Sequence, residues 1–344
     1  MQRPAVTGRI NWSSCTSGEI HLIGTDPMKT IIVGIGGVGG YFGGKLAFKY
    51  AAAPGHAVSF VARGAHLEKI RAEGLSVRTV DGNFVAFPTA ATDRPETLGR
   101  ADIILLAVKG YDLEDAVSSL AGNIGDETVL IPLLNGVDNG DRIRSRIGRG
   151  TVLDGCVYIS SFIERPGVIH QVGGSCRILF GPVSGPIDPY RALERYFQEA
   201  SIAVRLSDNI RTEIWSKFLF VAPFACVTSR VGQPFGAVVE NEEWRRTVEG
   251  MMEELRSLAA ALGVVLPADA IRKSIEMARK LPYSSRSSMQ LDFERGRRTE
   301  LETFAGYVIK TARDKGIPVP LHEEIYAGLA QQAAPGPDRK DRTC

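Results

Sequence analysis

The sequence has no Cys-x-x-Cys pair, no group of histidines at metal-ligand spacing and no surplus of charge of either sign. Its five cysteines (Cys15, Cys156, Cys176, Cys226, Cys344) are scattered and odd in number. That argues against a disulfide-built scaffold and a zinc site, and fits a reducing, cytoplasmic setting. The five histidines (His21, His56, His66, His170, His322) lie far apart in the chain, so no metal centre is expected. Lys+Arg 41 against Asp+Glu 39 leaves a formal charge of +2, which provides no broad basic surface for nucleic acid. No apolar run approaches the roughly 18 residues of a membrane helix, so no membrane partner is expected either. What remains is a globular composition, 44% hydrophobic and 23% charged over 344 residues. That length suffices for two domains of ordinary size.

The ends read as peripheral. Residues 1–27 are polar and mixed, with no apolar core of signal-peptide length, and are expected to be a disordered extension before a working start at Met28. Residues 332–344, entered through Ala334-Pro335-Gly336-Pro337, are expected to form a disordered tail. Between them, Thr30–Gly34, Ala57–Ala62, Ile103–Val108 and Val129–Leu134 are apolar runs of strand length. They are separated by helix-length segments, the pattern of βαβ units and a sheet buried on both faces. Val168–Val172 and Arg177–Phe180, separated by Gly173-Gly174, are predicted to pair as a hairpin. From Asn209 on no strand is predicted, and 209–222, 241–262, 267–280 and 299–315 read as helices. The expected fold is α/β: a Rossmann-type doubly wound domain over 28–206, then an all-helical domain over 207–331.

The first chemical signal is Gly34-Ile35-Gly36-Gly37-Val38-Gly39. Gly34 suits a tight turn, Gly36 a close approach of main chain to a pyrophosphate, and Gly39 close packing of helix on sheet. With 37 glycines in the chain such a pattern arises easily. Its place between a strand and a helix, opening a βαβ unit, is what makes it a dinucleotide signature. At the end of the second strand an NAD site usually carries an acid for the ribose 2′-OH. Here Arg63 stands at that end and no acid appears before Glu68. The planar fork of Arg63 suits a 2′-phosphate, so NADPH/NADP+ is favoured over NAD. Lys109 and Asn135 follow the apolar runs 103–108 and 129–134, at the strand ends where open α/β sheets bind ligands. Lys109 suits a cofactor phosphate or a substrate carboxylate; Asn135 suits the nicotinamide ribose or the substrate. A surface lysine and a turn-forming Asn-Gly are the bland alternatives.

In the helical half, Lys217 runs into the nearly apolar stretch Phe218–Cys226. Partial desolvation there would lower an ammonium pKa towards that of a useful general acid. Snorkelling to solvent and an i,i+4 pair with Glu213 remain open for the same residue. Ser288 is placed to start a helix, and Glu300 sits on an otherwise amphipathic one; an N-cap and a solvated acid are the simplest readings.

Taken in order, Met28–Gly44, Arg63-Gly64-Ala65-His66-Leu67, Val108-Lys109-Gly110-Tyr111-Asp112, Asn135-Gly136-Val137, Trp215-Ser216-Lys217, Ser287-Ser288-Met289 and Thr299-Glu300 resemble the ketopantoate reductase (2-dehydropantoate 2-reductase) family over roughly 28–331. The resemblance implies NADPH-dependent reduction of a 2-oxo acid, with 2-dehydropantoate to pantoate, in the pantothenate pathway, as the leading reaction. It implies Lys217 as catalytic lysine, Glu300 as active-site glutamate and Ser288 as a substrate contact. Lys109 and Asn135 take cofactor and active-site positions. The implied partner is a small-molecule 2-oxo acid, and a homodimer is a candidate assembly. The sequence departs from the family at three places where asparagines contact substrate: Val221, Ala225 and Phe235. An apolar wall discriminates between substrates by only a few kcal/mol, whereas a hydrogen-bonding one discriminates strongly. A reductase of a less polar oxo acid is therefore the alternative, followed by a non-catalytic NADP-binding sensor.

Overall fold

The computed structural model describes residues 27–333. The expectations for residues 1–26 and 334–344 lie outside those residues. The chain divides into two compact units, Met1–Ile210 and Arg211–Cys344.

The first unit carries strands β1 (Lys29–Val33), β2 (Ala57–Val61), β3 (Leu75–Thr79), β4 (Gly82–Ala86), β5 (Ala90–Thr92), β6 (Ile103–Leu106), β7 (Val129–Pro132), β8 (Thr151–Val152), β9 (Asp154–Arg165), β10 (Val168–Gly181) and β11 (Ala203–Leu206). Its helices are α1 (Gly37–Tyr50), α2 (Gly64–Glu73), α3 (Leu113–Ser119), α4 (Asn139–Arg144) and α5 (Arg191–Glu199). One sheet runs β5-β2-β1-β6-β7-β8 with every pairing parallel. Alternate residues feed two separate cores. Ile31, Val33, Ile104, Leu106 and Leu130 join Leu113, Val117 and Ile143 on one face. Ile32, Leu105 and Ile131 join Phe42, Leu46 and Phe197 on the other. Burial on both faces is why these strands read as continuous apolar runs rather than as alternation.

The second sheet of this unit runs β11-β10-β3-β4, with β9 antiparallel to β10. Helix α1 touches both sheets. A Cβ on Gly43 would stand 3.0 Å from Ile32 of the first, and Cβ atoms on Gly40 and Gly44 would stand 2.5 Å from Ile169 and 2.8 Å from Val77 of the second. The glycines behind the first motif therefore let one helix fit tightly against two sheets.

The predicted hairpin across Gly173-Gly174 is not formed. Those residues lie inside β10, where register shifts on either side of Gly173 mark an irregular, bulged stretch. Gly174 and Cys176 adopt positive φ, 85° and 48°, so the chain bulges without reversing. The reversal comes earlier, at Pro166-Gly167, between the paired residues Arg165 and Val168. Proline presets the first turn position, and Gly167, at φ 77°, supplies the left-handed second.

The second unit has no strand among its described residues; its helices are α6 (Ile210–Val231), α7 (Phe235–Glu240), α8 (Glu242–Ala261), α9 (Ala270–Lys280), α10 (Ser288–Glu294), α11 (Tyr307–Asp314) and α12 (Pro320–Ala333). Helix α6 continues past the predicted end at 222, through Pro223. It is long and apolar enough to meet the length and hydropathy test for a membrane span, contrary to the reading of the bare sequence, but 67% of that window is buried in the fold. The predicted helix 299–315 is broken by a π-helical turn, Glu302–Gly306, before α11. Helix α12 continues two residues into the segment read as a tail.

Candidate functional site

The candidate residues form two groups, one in each unit. In the first, the motif turns at the carboxyl end of β1. Gly34 adopts φ 89° and its N–H donates to the Val61 carbonyl at the end of β2 (3.0 Å). A Cβ there would stand 2.8 Å from the Ala107 carbonyl oxygen, and one on Gly39 would stand 2.0 Å from the Gly34 carbonyl oxygen. At Gly34 and Gly39 the loop is thus pressed against the segment following β6, with no room for a side chain at either position. The chain order of the sheet reverses between β1 and β6, the place where ligands bind in open α/β folds. Gly36 differs from its neighbours: a Cβ there would meet nothing within 4 Å. Gly36 is also the N-cap of α1 and makes no side-chain cap, nor is there an acid in the first turn. Gly36 thus leaves an uncapped helix start, open at that position and suited to an anion, whereas Ile35 is buried and a Cβ on Gly37 would stand 2.1 Å from the Ser161 carbonyl oxygen of β9.

Lys109 and Asn135 stand at the ends of the segments following β6 and β7, both half-buried. The Lys109 carbonyl accepts from the Asp112 N–H (2.9 Å), closing a short turn. The Asn135 carbonyl accepts from the side chain of Asn139 (3.0 Å), which also reaches the Gly136 carbonyl (3.4 Å). Asn139 is buried at the start of α4, so this loop is held from inside the protein.

Arg63 is the N-cap residue of α2, with its side chain 86% exposed. Its guanidinium donates to the Asp112 carboxylate at 3.3 Å. That acid was missed in the sequence because it comes from the loop after β6, not from the strand end where an acid was sought. Burial lowers the pKa of nearby His66. Its Nδ1 atom accepts from the Gly167 N–H of the β9–β10 turn (2.9 Å).

In the second unit, Lys217 is half-buried on α6. Its neighbour Phe218 stacks on Phe304 at 6.2 Å between ring centroids, which brings the Lys217 segment of α6 against the turn that follows Glu300. Glu300 is buried (3% exposed). It precedes the helical segment rather than lying along a helix face, and its carbonyl accepts from the Phe304 N–H (3.0 Å). Ser288 is exposed at the first position of α10. The N-cap is Ser287, whose hydroxyl accepts from the Gln290 N–H (3.1 Å) and pairs with Thr228 Oγ1 (3.0 Å). Thr228 lies about three turns beyond Lys217 on α6, on the order of 16 Å along the axis. Of the three departures, Val221 is half-buried one turn after Lys217, and Ala225 is buried. Phe235 is buried in a stack with Phe224 (5.0 Å) and Phe220 (6.0 Å). Among the described residues, no group of three or more His, Cys, Asp or Glu is placed to hold a metal ion.

The two units correspond to two family models, "Ketopantoate reductase PanE/ApbA" over residues 30–185 and "Ketopantoate reductase PanE/ApbA C terminal" over 209–333. A Bacillus subtilis (strain 168) protein named as an uncharacterized oxidoreductase, YkpB, is 32% identical over 89% of this chain and 99% of its own length. A 2-dehydropantoate 2-reductase of Mesorhizobium japonicum is 31% identical over 87% of this chain and 96% of its own. The crystal structure of a PanE/ApbA family ketopantoate reductase from Ralstonia eutropha JMP134 superposes with a TM-score of 0.81. It is 29% identical and covers 89% of this chain and 98% of that one. With both models matched in order and two relatives above 30% identity across most of the length, the chain belongs to the ketopantoate reductase family of oxidoreductases.

Proposed function

We propose that the protein is a cytoplasmic, NADPH-dependent reductase that converts a 2-oxo acid into the 2-hydroxy acid, with 2-dehydropantoate as the leading substrate and pantoate as its product. The observation that carries this reading is the open position at Gly36, at an uncapped helix start, beside the strand ends that bear Lys109 and Asn135. Those residues fit a dinucleotide: main chain at 35–39 for the pyrophosphate, Arg63 for a 2′-phosphate, Lys109 and Asn135 towards the nicotinamide half. When bound, the nicotinamide supplies a hydride to the substrate C2 carbonyl. Lys217, protonated at Nζ, stabilises the oxyanion that grows there and gives it the proton. Glu300 orients Lys217 or the cofactor ribose, Ser288 takes the substrate carboxylate, and Asn135 contacts the substrate.

A direct test separates cofactor site from scaffold. Gly36→Ala puts a methyl into open space, with φ at −84°, which alanine accepts. Its melting temperature should stay with that of the parent while NADPH affinity falls by about tenfold or more, since the methyl occupies the approach of the pyrophosphate. Gly39→Ala, 2.0 Å from a backbone oxygen, should instead lose stability, by about 1–3 kcal/mol. Equal NADPH binding by the parent and Gly36→Ala would remove the motif from the cofactor site.

The second reading, a less polar oxo acid, is favoured by Val221, Ala225 and Phe235 in place of amide side chains, with Phe235 stacked on Phe220 and Phe224. NADPH oxidation followed at 340 nm with 2-dehydropantoate, beside 2-oxo acids lacking its 4-hydroxyl, decides between them. A kcat/KM for 2-dehydropantoate well above the others supports the leading reaction. Inertness towards it, with turnover of an alkyl or aryl 2-oxo acid, supports the alternative.

A further inference from the structure

Lys109 and Asn135 sit on separate loops after neighbouring strands, and both loops are fastened to the same short helix, α4. Asn139, its first residue, grips the Asn135 and Gly136 carbonyls. One turn later, Arg142 points to the other loop. Its Nη2 donates to the Gly110 carbonyl (2.6 Å), directly after Lys109. Its Nε and Nη2 also clamp the two oxygens of Glu114 at the start of α3 (2.7 and 2.8 Å). The remaining arm, Nη1, stands 4.0 Å from Asp138 at the N-cap of α4. The Arg142 side chain is 24% exposed. The Glu114 hydrogen bond holds that carboxyl below its usual range, whereas burial raises the carboxyl of Asp138. A fork, a main-chain carbonyl and two acids on three segments are more than a surface ion pair requires. They fix a distance between loops.

We infer that Arg142 is a positioning residue: by tying Gly110 and Glu114 to α4, it sets the spacing between Lys109 and Asn135 that the dinucleotide site needs. The inference rests on the proposed cofactor site and adds a residue outside it. The planar fork is essential to the role. Lysine retains the charge but has a single nitrogen, which cannot hold both Glu114 oxygens and the Gly110 carbonyl in the same geometry.

The test uses the full chain with Arg142→Lys and Arg142→Gln. Arg144→Gln serves as a control, since it lies on the same helix but pairs with Asp141 and Asp154. Amide hydrogen exchange without ligand reads loop order, and NADPH titration reads affinity. Both Arg142 variants should exchange faster over 108–112 and 135–139, with α1 unchanged, and should bind NADPH more weakly by on the order of tenfold. Arg144→Gln should leave both readouts at parent values. Parent-like exchange in the Arg142 variants overturns the inference, as does faster exchange with parent-like affinity. A loss matched by Arg144→Gln overturns it by assigning the effect to the stability of α4. A parent protein that binds no dinucleotide overturns the cofactor reading and this inference with it, whereas the exchange result alone still shows whether Arg142 orders the loops.

Discussion

Replacing Lys217 with alanine is expected to lower kcat by about 10²–10⁴-fold, the contribution of a positioned proton donor, with NADPH affinity close to that of the parent. The substitution is structurally mild. Lys217 is half-buried in the interior of a helix of 22 residues, where alanine is the most favourable residue. The neighbouring anchors Trp215, Phe218 and Leu219 are buried and untouched. A drop in kcat at an unchanged melting temperature would therefore report chemistry rather than packing. The KM of the oxo acid separates two contributions: a rise in KM alone would mean that Lys217 binds the carboxylate and does not deliver the proton. An unchanged kcat would take Lys217 out of the mechanism. Lys217→Arg sharpens the assignment, because it keeps a cation near the oxyanion but holds its proton at any working pH. It should recover KM and leave kcat low.

The parallel sheet was legible because burial on both faces turns each strand into an unbroken apolar run; Ile103–Leu106 and Val129–Pro132 are the clearest cases. Strand β9 was not. It begins buried at Asp154–Val157 and ends exposed at Phe162–Arg165, so neither a continuous run nor a period of two persists along it. Gly173-Gly174 imitated a turn because glycine signals a bulge and a reversal alike. Helices α7 and α10, with six and seven residues, span less than two full turns, too short for a 3.6-residue period to declare itself. The site shows the same division. The glycine motif and the residues at strand ends follow from local pattern plus the geometry of a doubly wound sheet. Glu300 does not: it is buried ahead of the helical segment rather than along a helix face, and only the family resemblance singled it out. Asp112 and Arg142 were invisible because their partners lie 49 and 28 residues away, at Arg63 and Glu114.

The pairing of Arg63 with Asp112 adds an anion to the proposed choice of cofactor. Arg63→Ala is expected to weaken NADPH by roughly 10- to 100-fold, the loss of a charge-assisted bond of about 1.5–3 kcal/mol, and to leave NADH nearly unaffected. The fold should not suffer: an ion pair with an arginine 86% exposed contributes at most about 1 kcal/mol. Equal losses for both cofactors would sink the 2′-phosphate assignment. The acid supplies the complementary experiment. A carboxylate 3.3 Å from the guanidinium occupies one of its arms and repels a phosphate brought to the others, whereas a ribose 2′-OH can donate to it. Asp112→Asn should therefore tighten NADPH, weaken NADH, and raise the ratio of their affinities, with the sign opposite to that of Arg63→Ala. If both substitutions lower the ratio, Asp112 helps to aim Arg63 at the phosphate instead of competing with it. On either of these outcomes, preference would be set by a cation and an anion on loops from two different strands, and would respond to how those loops are spaced as well as to which residue ends β2.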